Sequence, residues 1–132
     1  VGSALAQDKL VTLITGDMAF FYDRNAFWHN HDLSKLRIIV LNNHGGGIFR
    51  MIKGPEEQAD YEKLFETEQP LTAENTADDH NFEYHACSDL TELTTALDNF
   101  YELSNQPKLI EVFSDSKQNT EIFNNFKGEF ES

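Results

Sequence analysis

Two short runs of apolar side chains, residues 10–15 and 36–41, leave this chain few folds to choose from. Neither alternates apolar with polar, as a half-exposed strand would. Both read as strands covered on two faces, the habit of parallel sheets. Between them Ala19, Phe20, Ala26 and Phe27 recur at helical spacing among Asp23, Arg24 and Asn25, and His29-Asn30-His31-Asp32 breaks the pattern. Strand, helix and strand over this distance make a βαβ unit with a right-handed crossover. The first run is expected to be a central strand.

Beyond Phe49 the signals thin. Lys53-Gly54-Pro55 marks a turn, and residues 56–69 are polar and acidic with Tyr61, Leu64 and Phe65 at helical spacing. That stretch fits a short helix or a mobile loop, and its acidic residues 56–68 read as a solvated face. Thr72-Ala73-Glu74-Asn75 reads as a helix start with Leu71 as a staple. Residues 82–87 read as a short strand. Leu90, Leu93, Leu97, Phe100 and Tyr101 give an amphipathic helix capped by Ser88 and ended by Gln106-Pro107. Residues 109–113 form another strand, and a last helix covers residues 119–126. Strands alternating with helices predict an α/β fold: a doubly wound, mostly parallel sheet with helices on both faces.

The 132 residues suffice for one domain with a core. Ten Lys and Arg stand against 23 Asp and Glu, a net charge of −13. Nucleic-acid phosphates and anionic membrane surfaces repel such a chain, so neither is an expected partner. An anionic ligand needs a cation or backbone amides to offset that charge. The single cysteine, Cys87, excludes an internal disulfide; its surroundings read as a buried apolar thiol compatible with a reducing cytoplasm. No run approaches the roughly 18 apolar residues of a membrane span. Residues 1–8 read as the last two turns of a helix entered from upstream. The chain is therefore expected to be an N-terminally truncated piece of a longer protein.

Asp17 closes the first strand and Asn42-Asn43 the second. In doubly wound sheets ligands sit beyond the carboxyl ends of the strands. A hard divalent cation wants oxygens, six for Mg2+. Asp17 can offer a carboxylate, Asn43 an amide oxygen without added charge, and Gly45 a backbone carbonyl turned inward. Phosphate oxygens and water suit the remaining positions. Gly46 and Gly47 would let backbone approach a diphosphate, and a helix opening near Gly47 would favour an anion. The plainer alternatives are that Asp17 caps the next helix and that the asparagines form an ordinary turn.

These residues carry a resemblance. Gly16-Asp17 with the later Asn42-Asn43 resembles the Gly-Asp-Gly…Asn-Asn signature of thiamine-diphosphate enzymes. The fuller text, Gly16-Asp17-Met18-Ala19-Phe20-Phe21-Tyr22-Asp23-Arg24-Asn25-Ala26-Phe27 and Asn42-Asn43-His44-Gly45-Gly46-Gly47-Ile48-Phe49, is similar to the menaquinone-biosynthesis synthases of that superfamily. The similarity runs over the whole chain, most weakly between residues 53 and 80. It implies the thiamine-diphosphate-binding fold, with residues 1–132 as the C-terminal domain that binds diphosphate and metal. The implied cofactors are thiamine diphosphate and Mg2+, or Mn2+ in its place. The implied metal ligands are Asp17, Asn43 and the Gly45 carbonyl. Met18, Ala19, Gly46, Gly47, Ile48 and Phe49 would complete the cofactor contacts, Ile48 and Phe49 beside the thiazolium. Met18 stands where the superfamily often has Gly, as a bulky residue does in this subgroup.

By the same resemblance the intact protein is a cytoplasmic transferase. It would decarboxylate 2-oxoglutarate and add the succinyl carbanion equivalent to isochorismate. It would work as at least a homodimer, with the cofactor between domains of two subunits. The groups that activate the pyrimidine and recognise substrate carboxylates lie outside the chain. No catalytic residue is thus assigned here, and the chain alone is expected to be inactive and to bind cofactor weakly.

Other residues carry less. His29 and His31, with Asp32, lack further ligands and read as a solvated connector. His44 faces the cofactor or, more simply, solvent. Arg50 either serves acidic substrates or joins an ordinary salt bridge. The rivals are another thiamine-diphosphate decarboxylase or acetohydroxyacid synthase, and a receiver-like Mg2+-binding α/β module without catalysis. The Gly-Gly-Gly-Ile-Phe text argues against the first. A receiver would need an acidic pair after its first strand, where this chain has Asp17 alone.

Overall fold

The computed structural model describes residues 1–51, 60 and 62–130. They fall into two compact units: Val1–Asn42 with Thr72–Phe113, and Asn43–Leu71 with Ser114–Ser132. The predicted turn at Lys53-Gly54-Pro55 and the side chain of Tyr61 lie outside the described residues.

In the first unit β1 (Val11–Gly16), β2 (Leu36–Asn42), β3 (Glu83–Cys87) and β4 (Lys108–Phe113) form an all-parallel sheet in the order β1-β2-β4-β3. The inner strands, β2 and β4, are mostly apolar, and Ile38, Val40, Leu109 and Ile110 are fully buried. Successive strand residues face opposite ways, so two cores result. Ile38, Val40 and Leu109 pack with Ala4, Phe20, Phe27, Ala77 and Phe82 on one face. Those residues come from α1 (Gly2–Leu5), α2 (Asp17–Asp23), the 3₁₀ turn Arg24–Phe27, α3 (Glu74–Asp79) and the residue before β3. Ile110 packs with Ala96 and Phe100 of α4 (Leu90–Phe100) on the other. Helices on both faces of a parallel sheet are the doubly wound arrangement expected.

Several details of this unit differ from the sequence reading. β1 is an edge strand, with Leu13 and Ile14 exposed at 43% and 63%. A run patterned for two covered faces is here only partly covered. The helix predicted after Asp17 ends at Asp23 and passes into the 3₁₀ turn; Phe20 and Phe27 still face the core, while Ala19 and Ala26 are exposed. The start of the chain is one helical turn rather than two. Asp89, not Ser88, caps α4: its carboxylate accepts from Glu92 N at 2.8 Å, and Glu92 reaches back to Ser88 N at 2.7 Å. Standing one residue closer to the helix, the Asp89 carboxylate reaches the free Glu92 amide, and Glu92 completes the capping box.

Two buried cations hold the opposite end of α4. Arg37, fully buried at the start of β2, donates to the carbonyls of Phe100 (2.6 Å), Glu102 (2.7 Å), Ser34 (2.7 Å) and Leu36 (3.0 Å). Lys108, its register partner on β4, donates to Asn99 O at 2.6 Å. Positive charge at a helix C-terminus is favourable, and the guanidinium fork satisfies several carbonyls together. Arg37→Lys keeps the charge but loses the fork. We expect the full-length protein to lose about 2 kcal/mol in chemical denaturation, since buried carbonyls are left unpaired.

In the second unit the turn after Asn43 runs into a 3₁₀ helix, Gly47–Met51, and a π-helical turn spans Glu62–Glu66. α5 (Ser116–Gly128) begins three residues before the predicted helix, because Asp115 caps it by accepting from Gln118 N at 2.8 Å. No α5 residue is buried, and Ile122 and Phe126 are 60% and 58% exposed.

Candidate functional site

Asp17 is the first residue of α2 and only 2% exposed; its Oδ1 accepts from Met18 N at 2.8 Å. Met18 and Ala19 are exposed on the same turn. Parallel register sets Gly16 opposite Leu41, so Asp17 and Asn42 both stand at the carboxyl ends of neighbouring strands.

Asn42 is fully buried, and its Nδ2 donates to Glu111 Oε1 at 2.7 Å. The other Glu111 oxygen accepts from Ala73 N at 2.9 Å and from the Tyr84 hydroxyl at 2.6 Å. Burial first, and the Glu111 carboxylate second, push the Tyr84 hydroxyl far above its ordinary value, so it remains a donor. The sequence reading passed over Glu111. The available signal was a lone carboxylate inside the otherwise apolar strand Leu109-Ile110-Glu111-Val112-Phe113. The same bond explains the start of α3. Its N-cap, Ala73, has no capping side chain, and Leu71 is 45% exposed rather than acting as a staple.

The second unit holds the glycine turn. Asn43 is half-buried, and a Cβ built on Gly47 would lie 2.4 Å from Asn43 Nδ2. The amide nitrogen edge thus lies against Gly47, in a space that any side chain there would fill. His44 takes the left-handed conformation (φ 60°) and is exposed, its Nδ1 3.2 Å from the Gln69 carbonyl. The Gly45 carbonyl accepts from Gly47 N at 3.0 Å, and Gly46 N donates to the Glu66 carbonyl at 2.6 Å. Ile48 is 67% exposed, while Phe49 is half-buried, edge-on to Phe65 with centroids 6.0 Å apart.

Arg50 does form a salt bridge, but to a buried partner. Its guanidinium holds Glu66, which lies in the stretch read as a solvated face and is only 2% exposed. Burial pushes the Glu66 carboxyl up, yet hydrogen bonds from Arg50 and Ser116 more than reverse this and leave it below the ordinary range. The stability it contributes is therefore complete above the ordinary glutamate value and is lost as pH falls through the lowered one. Asn43, His44, Arg50, Gln69, Ser116 and Lys117 are among the residues lining a cleft of about 550 Å³ in this unit.

A carboxylate, a carboxamide and a glycine carbonyl are each hard oxygens, the kind of donor Mg2+ takes. The fitted space between Asn43 and Gly47 suits an amide that must point one way. The chain matches, over residues 1–112, the family model described as "Thiamine pyrophosphate enzyme, C-terminal TPP binding domain". This chain belongs to that family. Its parallel sheet with helices on both faces is that of a thiamine pyrophosphate-binding domain, and the resemblance read in the sequence holds.

The relatives agree. The chain is 52% identical over 126 residues to the 2-succinyl-5-enolpyruvyl-6-hydroxy-3-cyclohexene-1-carboxylate synthase of Cytophaga hutchinsonii, covering 96% of this chain and 22% of that protein. It is 43% identical over 122 residues to the synthase of the same name from Christiangramia forsetii, covering 92% and 21%. With that from Desulfotalea psychrophila the identity is 39% over 119 residues, covering 87% and 21%. The chain spans about a fifth of the length of the curated relatives it matches.

The His29 and His31 rings lie tilted against each other with centroids 4.8 Å apart, and among the described residues no group of three or more His, Cys, Asp or Glu could hold a metal. The Cys87 thiol is 1% exposed and pushed up by burial, which makes it inert. Among the described residues no helix is long and apolar enough to cross a membrane.

Proposed function

We propose that this domain anchors Mg2+ and the diphosphate of thiamine diphosphate within a synthase of the kind its relatives are named for. Asp17 Oδ, Asn43 Oδ1 and the Gly45 carbonyl would hold the metal. Met18, Ala19, Gly46 and Gly47 would lie along the cofactor, with Ile48 and Phe49 beside its reactive ring. The cofactor supplies the carbanion chemistry that lets a 2-oxo acid lose carbon dioxide. In the intact protein the substrates would be 2-oxoglutarate and isochorismate, and the site would be completed by further domains and a second subunit, in the cytoplasm. Ile14 and Phe126, 63% and 58% exposed, support covering by more protein.

The observation that carries the reading is register. β1 and β2 are parallel neighbours, Asp17 follows the first where Asn42 ends the second, and Asn43 is the next residue in the chain. Asp17 is buried despite its charge, as a carboxylate meant for a cation would be. The residues of this chain bind and orient, and turnover by the 132-residue chain alone would overturn that division of labour.

The test is thermal unfolding of the full-length protein with and without Mg2+ and thiamine diphosphate. A ligand at one hundred times its Kd stabilises by about 2.7 kcal/mol. Asn43→Ala and Asp17→Asn are each expected to remove more than half of the resulting melting shift. An unchanged shift in both would refute the ligand assignment.

A further inference from the structure

Glu66 is the residue of the second unit whose surroundings the cofactor reading leaves unexplained. Its side chain is 3% exposed. The carboxylate accepts from Arg50 Nε at 2.7 Å, from Arg50 Nη2, and from Ser116 Oγ at 2.5 Å. The Glu66 carbonyl accepts from Gly46 N at 2.6 Å. A Cβ on Gly45 would meet that carbonyl at 3.0 Å and Glu66 Cγ at 3.1 Å. One residue therefore abuts the first two glycines of the turn, grips the arginine just beyond it, and ties both to the first residue of α5.

Resting on the reading above, we infer that Glu66 is a positioning residue: it holds the turn from Gly45 to Gly47 in the single conformation that receives the metal and diphosphate. Three consecutive glycines have more backbone freedom than any other tripeptide, so the turn cannot fix itself. Freedom in the unbound protein weakens binding, because apparent affinity falls in proportion to the fraction of molecules in the competent conformation. The backbone bond to Gly46 survives any substitution at position 66, but the carboxylate is what keeps that backbone in place. It does so through Arg50 on one side and Ser116 on the other.

The experiment uses the full-length protein and two readouts: calorimetric titration with thiamine diphosphate at fixed Mg2+, and hydrogen exchange of residues 45–47 without cofactor. If the turn is competent in a few per cent of molecules once released, Glu66→Ala weakens cofactor binding about 30-fold, with faster exchange in the turn. Glu66→Gln keeps an acceptor for Ser116 and Arg50 and should recover affinity to within about threefold of wild type. Ser116→Ala, which removes one donor and leaves the ion pair, decides the matter should Glu66→Ala fail to fold; its expected loss is about threefold.

Wild-type affinity and exchange in Glu66→Ala, or in Ser116→Ala where only that variant folds, would overturn the inference. So would a Glu66→Gln protein as impaired as Glu66→Ala. Asn43→Ala runs alongside: if it too binds normally, the metal assignment has failed. If it alone loses binding, only the role of Glu66 has.

Discussion

Gly47→Ala should weaken binding of Mg2+ and thiamine diphosphate to the full-length protein about 100-fold, or 2.7 kcal/mol, while the cofactor-free protein keeps its melting temperature. The added methyl would lie 2.4 Å from Asn43 Nδ2, closer than any real contact allows. Something must move, and the cheapest movement is the end of the Asn43 side chain. Gly47 opens a 3₁₀ helix without a left-handed backbone angle, so alanine suits its conformation and should itself gain a few tenths of a kcal/mol. Folding is thus spared while the proposed amide ligand is turned away from the ion. Gly128→Ala, where a Cβ meets nothing within 4 Å, is the control. Isothermal titration reads the difference. Normal affinity in Gly47→Ala would mean that the Asn43 amide does not serve the metal from its observed place.

What the sequence displayed and what it hid follow from how each residue earns its conformation. The apolar runs at residues 36–41 and 109–113 announced β2 and β4, because a strand buried on two faces leaves no choice of side chain. The glycine turn was legible for the opposite reason, since three glycines in a row have no side chains to bury. β1 was misplaced because pattern reports the covering a strand is built for, and its neighbours in this chain cover it only in part. Glu66 and Arg37 escaped notice because a charge in the sequence looks the same whether it faces water or a buried partner. Only the fold shows that Arg37 meets backbone carbonyls and that Glu66 meets Arg50 and Ser116. Position inside an apolar strand was the available sign of burial, for Arg37 in β2 and for the Glu111 carboxylate in β4.

That carboxylate should also be the most costly to lose. Glu111→Leu is expected to destabilise the full-length protein by about 4 kcal/mol in chemical denaturation, the sum for several buried donors left without an acceptor. The donors are Asn42 Nδ2, Ala73 N and the Tyr84 hydroxyl, all within 2.9 Å. Leucine fills most of the volume, so the loss would be polar rather than a cavity effect. Glu111→Gln should cost less, about 1–2 kcal/mol, because its oxygen can still serve Ala73 and Tyr84 while its nitrogen opposes Asn42. Tyr84→Phe alone should cost about 1 kcal/mol, and close to nothing in a protein already carrying Glu111→Leu. That non-additivity is the decisive measurement. If the two substitutions simply add, the three donors do not depend on one shared acceptor. The strand end that delivers Asn43 must then be held by something other than this network.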